Sequence, residues 1–218
     1  MKTYTIHRID NPDNTHFPSK GQWETAEVAK LDQHHWTDHE FHPECEVRVL
    51  YSAENLFLFF HTEEREFATS RTEDGDEVWK DNCVEFFVSP NEDATAPYMN
   101  FEINMIGVML LGVGPNREER RKLSVEELKA VIRKPDYTEP ILDQSDQMKT
   151  WNLQVQIPIE FIQEYTGCKF PESGTVWRAN FNNCAADVDH PYYGNWNPIG
   201  TENPDFHRPE YFGRIVFE

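Results

Sequence analysis

Hydrophobic and polar residues alternate along much of the chain. The segments with this two-residue period are EVRVLYS (46–52), NLFLFFHT (55–62), NCVEFFVS (82–89), YMNFEINMIG (98–107), WNLQVQIPIEF (151–161), TVWRANFNN (175–183) and EYFGRIVFE (210–218). Because successive side chains of a strand point to opposite faces, this period predicts half-buried β-strands. Together with the turn residues between them, they predict an all-β fold of about eight to ten strands, arranged as a single antiparallel β-sandwich.

Helical signals are short and local. Ser124 followed by Glu127 matches a capping box, which predicts a short helix within the charged stretch 114–133. A second helical turn is predicted at IEFIQEY, where Pro158 ends the preceding strand. Since no linker interrupts the alternating segments, residues 1–218 are predicted to form one domain, with residues 1–44 as an irregular segment packed on it.

Polar side chains share one face in each of three predicted strands. These faces carry Cys83, Glu85 and Phe87 in NCVEFFV, Asn100, Glu102 and Asn104 in NFEIN, and Arg178, Asn180 and Asn182 in WRANFNN. Such a face ordinarily meets water in an antiparallel sheet. Carboxylates, amides and a guanidinium beside an aromatic ring also suit neighbouring hydroxyl groups, such as those of a sugar.

The tryptophans fall into two groups by their surroundings. Trp151 and Trp177 lie in alternating strands, which favours the core. Trp79 lies among charged residues, and Trp196 lies in the Gly-, Pro- and Asn-rich stretch HPYYGNWNPIG. Rings on polar loops favour a binding role, so Trp79 and Trp196 are predicted to clamp the apolar faces of a sugar ring.

The charge of the chain excludes several classes of partner. It carries 39 acidic and 20 basic residues, a formal net charge of −19, so neither nucleic acid nor an anionic membrane is an expected partner. No signal-peptide core or membrane-spanning run is present in the sequence. The expected location is therefore the cytoplasm as the chain stands, or a secreted or periplasmic one if a signal has been removed.

Four motifs in order resemble a known family. VWKDNCVEFFVSP, NFEIN, WRANFNN and the ending WNPI…PDFHRPEYFGRIVFE are similar to the family 9 carbohydrate-binding modules and their standalone relatives. The resemblance implies a β-sandwich that binds sugar without transforming it, with a terminal glucan or xylan unit held between two tryptophans. It also implies that no cofactor is required, although calcium is possible because family members often contain structural calcium.

The resemblance assigns roles to particular residues. Trp79 and Trp196 would form the clamp, Glu85 would bind hydroxyls, and Glu102 and Asn104 would add polar contacts. Asn100 joins this predicted site because it shares the polar face of NFEIN. The chain departs from the family pattern at Asp81-Asn82, where two acids would be expected, and this departure weakens a calcium assignment there.

Two other functions stay open at this point. Glu85 and Glu102 could be the paired carboxylates of a glycoside hydrolase. A metal-binding protein is the second alternative, because HHWTDHEFH and TEDGDE concentrate potential ligands. The zinc candidates are His34, His35, Asp38, His39, Glu40 and His42, and the calcium candidates are Asp74 and Asp76.

Two further polar segments receive structural interpretations. The run from Arg117 to Lys122 is predicted to be a solvated charged face rather than a nucleic-acid patch. His207 and Arg208 are predicted to brace the Trp196 loop, with closure of the groove as the alternative.

Overall fold

The computed structural model describes residues 1–10, 17–37, 39–93, 97–143, 145 and 147–218. The strands are β1 Thr3–Arg8, β2 Ala29–Lys30, β3 Glu44–Tyr51, β4 Asn55–Glu64, β5 Phe67–Thr69, β6 Cys83–Ser89, β7 Tyr98–Asn104, β8 Met109–Gly114, β9 Arg121–Lys122, β10 Ile132–Pro135, β11 Ile141–Asp143, β12 Lys149–Pro158, β13 Val176–Ala185, β14 Tyr192–Asn195 and β15 Gly213–Phe217. The helices are α1 Lys20–Trp23, α2 Val125–Leu128 and α3 Ile159–Thr166, with 3₁₀ turns at Val78–Lys80 and Pro209–Tyr211.

The strands form two sheets joined through β1. One side of the path runs β10-β12-β4-β3, with β2 on β3, and the other runs β15-β13-β6-β7-β8-β9, with β14 on β13. Strands β5 and β11 form a small separate pair. The predicted β-sandwich is confirmed, and its long strands pair antiparallel with their neighbours.

Strand β1 departs from the predicted pattern. It pairs in parallel with β15 through Thr3–Ile6 and in parallel with β3 through His7 and Arg8, so it connects the two sheets. Both β1 and α1 fall within residues 1–44, which the sequence predicted to be irregular. The prediction missed β1 because a single short strand supplies few alternating positions.

The main core lies between the two sheets. Strand β6 contributes Val84, Phe86 and Val88 to it, and Trp151 and Trp177 are also buried there, as their alternation predicted. Stacking of Phe86 between Phe101 and Phe181, at 6.0 and 5.4 Å between ring centroids, ties three neighbouring strands together. The inward faces of these strands were therefore predictable from their period of two.

The opposite face of the second sheet, which contains β13, β6 and β7, is largely covered. A smaller apolar cluster covers it, in which Phe87 and Cys83 of β6 meet Val78 of the first 3₁₀ turn and Phe206 and Phe212 of the C-terminal segment. This cover buries Glu85 and Glu102 to 3% and 2% exposure. The second cluster therefore turns an ordinary polar sheet face into an enclosed site.

The two predicted helical turns are present. Ser124 accepts from the backbone N–H of Glu127 at 3.4 Å and begins α2, while α3 starts directly after Pro158. Gly107 has a φ of 86° at the turn from β7 to β8, a conformation that glycine adopts without strain. In the described part of the chain, no helix is long and apolar enough to cross a membrane.

Candidate functional site

A pocket of about 140 Å³ opens on the covered face of the second sheet. Strands β6, β7 and β13 supply its floor, and the loops after β8 and before β15 supply its walls. Its lining consists of Trp79, Glu85, Phe87, Glu102, Arg117, Arg120, Cys184, Tyr193, Pro204, Asp205, Phe206 and His207. Three of the six predicted site residues, Trp79, Glu85 and Glu102, thus come together here.

The floor is a row of polar side chains across three strands. Glu85 lies directly opposite Glu102 on β7 and opposite Asn182 on β13, so all three point to the same face. Glu85 accepts hydrogen bonds from Asn182 Nδ2 at 3.2 Å and from Cys184 Sγ at 3.5 Å. Asn100 Nδ2 donates to Glu102 Oε1 at 2.8 Å.

The pKa values of both floor carboxyls are raised. Burial raises the pKa of Glu85 well above its ordinary value, and the facing Glu102 carboxyl adds to the rise. Burial raises the pKa of Glu102 to about 7, against the opposing effects of Arg120 and the Asn100 amide. Near neutral pH the pair therefore does not carry two full negative charges, and it can both donate and accept hydrogen bonds.

A cationic wall stands beside this floor. Arg120 Nη1 lies 2.7 Å from Nδ1 of His207, and the Tyr98 hydroxyl lies 2.9 Å from the same nitrogen. Burial and the charges of Arg120 and Arg117 lower the pKa of His207 to about 2, so its ring is neutral. His207 lines the pocket, whereas the sequence favoured a bracing role for it.

The position of Arg120 corrects the interpretation of the basic run. Residues 117–122 were predicted to form a solvated face, and all of them except the half-buried Arg120 are exposed. Because the chain turns back after β8, Arg120 and Arg117 also line the pocket. A Cβ at Gly114 would lie only 2.5 Å from the Cα of Arg120, so the glycine permits this close approach. In the sequence, Gly114 just before the basic run is a signal for a turn there, but it does not show where the run will lie.

Aromatic rings form the remaining walls. Trp79 sits on the 3₁₀ turn before β6, half-buried, with Lys80 Nζ 5.2 Å from its ring centroid. Phe206 and Tyr193 pack at 6.2 Å between centroids and also line the pocket. Sequence reasoning missed Phe206 and Tyr193 because neither lies in an alternating segment that faces the floor.

Trp196 was wrongly predicted as the second clamp ring. It is 4% exposed and belongs to the main core, where it packs against Phe181 at 5.5 Å and edge-on against Tyr4 at 6.4 Å. The cause is strand β14, which pairs with β13 and places the next residue, Trp196, on the inward face. There the backbone N–H of Trp196 donates to the backbone carbonyl oxygen of Phe181 at 2.9 Å. Its Gly- and Pro-rich surroundings indicated a loop but not its direction.

The two predicted asparagines support the site from outside its lining. Asn104 Nδ2 donates to Asp81 Oδ2 and to the Arg71 carbonyl oxygen, both at 3.0 Å, and its Oδ1 accepts from the Val108 N–H at 2.9 Å. Asn104 is thus fully used in holding the turn after β7, and its prediction as a sugar contact is corrected. Asn100 acts through Glu102, whose carboxyl it orients.

The predicted metal ligands do not converge. His34 and His42 stack with centroids 4.4 Å apart and His39 lies 6.2 Å from His42, while Asp38 lies outside the described residues. Of the predicted calcium ligands, Asp74 instead pairs with Arg133 at 2.6 Å. Among the described residues, a different set of potential ligands does come together: Cys83 and Glu85 on β6 and Cys184 on β13, whose ligand atoms lie within 4.8 Å of one another.

Comparison with known families decides the relationship. Residues 17–217 match the model described as carbohydrate-binding family 9. The chain belongs to this family. A curated relative, an extracellular protein of the fungus Arthroderma benhamiae, is 24% identical over 183 residues, which cover 80% of this chain and 79% of the fungal protein.

Solved structures of similar proteins agree with this fold. A Bacteroides uniformis protein, described as a candidate carbohydrate-binding protein, is 28% identical with a TM-score of 0.87, over 100% of this chain and 99% of that one. A family 9 module of Caldicellulosiruptor kristjanssonii in complex with cellotriose has a TM-score of 0.64 at 11% identity, over 100% and 94% of the chains. The same organism's module in complex with glucose has a TM-score of 0.63 at 12% identity, over 100% and 96%.

Proposed function

We propose that this family 9 protein binds a carbohydrate without transforming it, with one sugar unit held in the pocket over Glu85 and Glu102. One observation carries the proposal: Trp79 shares the pocket with two buried carboxyls that retain hydrogen-bonding capacity and with Arg120. Stacking on the indole takes the apolar face of a sugar ring, and the carboxyls and guanidinium take its hydroxyls.

The second aromatic contact differs from the predicted one. Phe206 and Tyr193 line the pocket, so in this proposal they replace the buried Trp196 as the rings that complete the sugar's apolar surroundings. A pocket with a floor and walls suits a terminal unit or a short oligosaccharide better than the middle of a chain. Glucan- or xylan-type oligosaccharides are the proposed ligands, supported by the cellotriose and glucose held by the Caldicellulosiruptor modules.

The arrangement of the carboxyls supports binding over hydrolysis. Glu85 and Glu102 are direct cross-strand neighbours on one floor. A glycoside hydrolase needs its two carboxyl groups on either side of the scissile bond. Membership of a family of carbohydrate-binding modules supports the same choice.

Calorimetric titration with glucose, cellotriose and xylotriose tests the proposal. We expect the parent to bind at least one of these sugars and Trp79→Ala to bind it with about 2 kcal/mol less free energy, a loss of about 30-fold in affinity. Phe170→Ala is the matched control, because this exposed ring lies outside the pocket and its removal is expected to leave affinity unchanged. Equal affinities of the parent and Trp79→Ala would refute the proposed stacking.

A further inference from the structure

Two cysteines that are distant in sequence meet beneath the pocket. Cys83 on β6 and Cys184 on β13 are directly opposite each other in the strand register, so their side chains point to the same face. Both are buried and both are free thiols. Their spacing in the sequence matches no cysteine motif, and only the pairing of β6 with β13 brings them together.

Glu85 completes this group. Cys184 Sγ lies 3.5 Å from Glu85 Oε1, and the two sulfur atoms and a Glu85 oxygen all lie within 4.8 Å of one another. Ligand atoms around a tetrahedral ion with bonds to sulfur of about 2.3 Å lie about 3.8 Å apart, so changes in separation of about 1 Å or less bring these atoms to that arrangement. Two sulfur ligands and one carboxylate oxygen form a donor set that selects a thiophilic ion over calcium or magnesium.

The group has an open side. Cys184 and Glu85 both line the pocket, whereas Cys83 lies behind them in the apolar cluster. An ion held by three protein ligands would therefore direct its remaining coordination position toward the cavity. Three protein ligands with one open position is the arrangement of reactive or exchangeable zinc sites rather than of closed structural ones.

We propose that Cys83, Cys184 and Glu85 form a binding site for a zinc-type divalent ion in the floor of the pocket. The ion forms bonds to both sulfur atoms and to the Glu85 carboxylate, and the two thiols and the Glu85 carboxyl release their protons to solvent as these bonds form. Because the ion binds thiolates, it must displace the protons of both thiols, and its binding weakens as pH falls.

Cadmium provides a spectroscopic probe of this site. The full chain, freed of metal and kept under a phosphine reductant, is titrated with Cd²⁺ while the ultraviolet charge-transfer absorbance of the sulfur–cadmium bond is followed. We expect saturation at about one equivalent, reversal by excess Zn²⁺, and release of about two or more protons per ion. Cys184→Ser is expected to lose most of the absorbance, whereas the matched control Cys168→Ser, whose thiol lies outside this group, retains it.

A second measurement uses only the parent protein, so its result does not depend on whether the Cys184→Ser variant folds. Zn²⁺ is expected to slow alkylation of Cys184 about tenfold or more while leaving Cys168 unprotected, as read by mass spectrometry of the peptides. Absence of the sulfur–cadmium band in the parent, an equal band in a folded Cys184→Ser variant, or equal alkylation with and without Zn²⁺ would overturn the proposal. The metal measurements use no sugar, so their failure would not bear on carbohydrate binding.

Discussion

Two buried glutamates in different regions of the molecule invite comparison. Glu64 ends β4 and Glu85 lies in the middle of β6, and their exposures are 0% and 3%. Burial is the main cause of a raised pKa for both, and it raises that of Glu64 to about 7. Degree of burial and shifted pKa therefore do not distinguish them.

Their partners do. Glu64 accepts from the Trp151 indole N–H, the Tyr192 hydroxyl and, at 2.9 Å, the Asn82 amide. Glu85 has a second carboxyl opposite it and a cavity above it. A buried carboxyl surrounded by donors connects parts of the structure, whereas one placed beside a like charge at a cavity is available to a ligand.

The largest expected effect concerns the glutamate outside the pocket. Glu64→Ala leaves the Trp151, Tyr192 and Asn82 donors without their acceptor, and we expect the free energy of unfolding to fall by about 3–5 kcal/mol. Denaturant unfolding measures this loss. The neighbouring, half-buried Glu63 supplies the control, since Glu63→Ala is expected to cost less than about 1 kcal/mol. Similar losses in the two variants would contradict the structural role of Glu64.

A matched pair of conservative variants separates stability from binding. Glu85→Gln removes a carboxyl that faces another carboxyl, so the free energy of unfolding is expected to change by less than about 1 kcal/mol. We expect sugar affinity to fall by about 2 kcal/mol, because the amide replaces one of the two carboxyl oxygens that ligand hydroxyls would contact. Calorimetric titration and denaturant unfolding, performed on both variants, measure these quantities.

Glu64→Gln should show the opposite behaviour. Its amide suits the three donors less well, so we expect a loss of stability of about 1–2 kcal/mol with unchanged sugar affinity. The comparison fails if Glu64→Gln weakens sugar binding as much as Glu85→Gln does.

The smallest expected effect is a pH dependence. The pKa of Glu64 is raised from 4.5 to about 7 in the folded protein, so the folded state holds the proton more tightly than the unfolded state does. This contribution is fully present below pH 4.5 and is lost as pH rises toward 7. Relative to Glu64→Gln, the parent is expected to lose about 1 kcal/mol of stability between pH 5 and 6, as measured by denaturant unfolding.

Relative to Glu102→Gln, the parent is also expected to lose stability as pH rises from 5 to 6, because burial raises the pKa of Glu102 to about 7. A flat or rising difference for Glu64→Gln would contradict the raised pKa.

The strand faces were predictable because they depend on local chemistry. Alternation placed Val84 and Phe86 on the inward face of β6 and Glu85 on the other, and the structure confirms both assignments. The assignment holds because each inward side chain gains burial and a slip of one residue would reverse every one of them. The α2 capping box and the strand end at Pro158 were predictable for the same local reason.

Residues whose role depends on a loop's path were not predictable. Trp196 was expected to line the pocket but lies in the core, and Arg120 was expected to face solvent but lines the pocket. Each follows a glycine in the chain, Gly194 before Trp196 and Gly114 six residues before Arg120, and composition identifies a turn without giving its direction. The direction was decided by pairing of β14 with β13 and by the close approach of Arg120 to Gly114.

The sequence by itself determined the β-sandwich, its inward faces and the polar row on its outer face, because a two-residue period is written directly into the chain. Only the tertiary structure decided that this row would be buried, and that two carboxyls, a tryptophan, an arginine and a thiol would share one cavity. The physical reason is that cross-strand register and the folding of loops over a sheet depend on contacts between segments far apart in the chain. No local pattern of residues encodes those contacts.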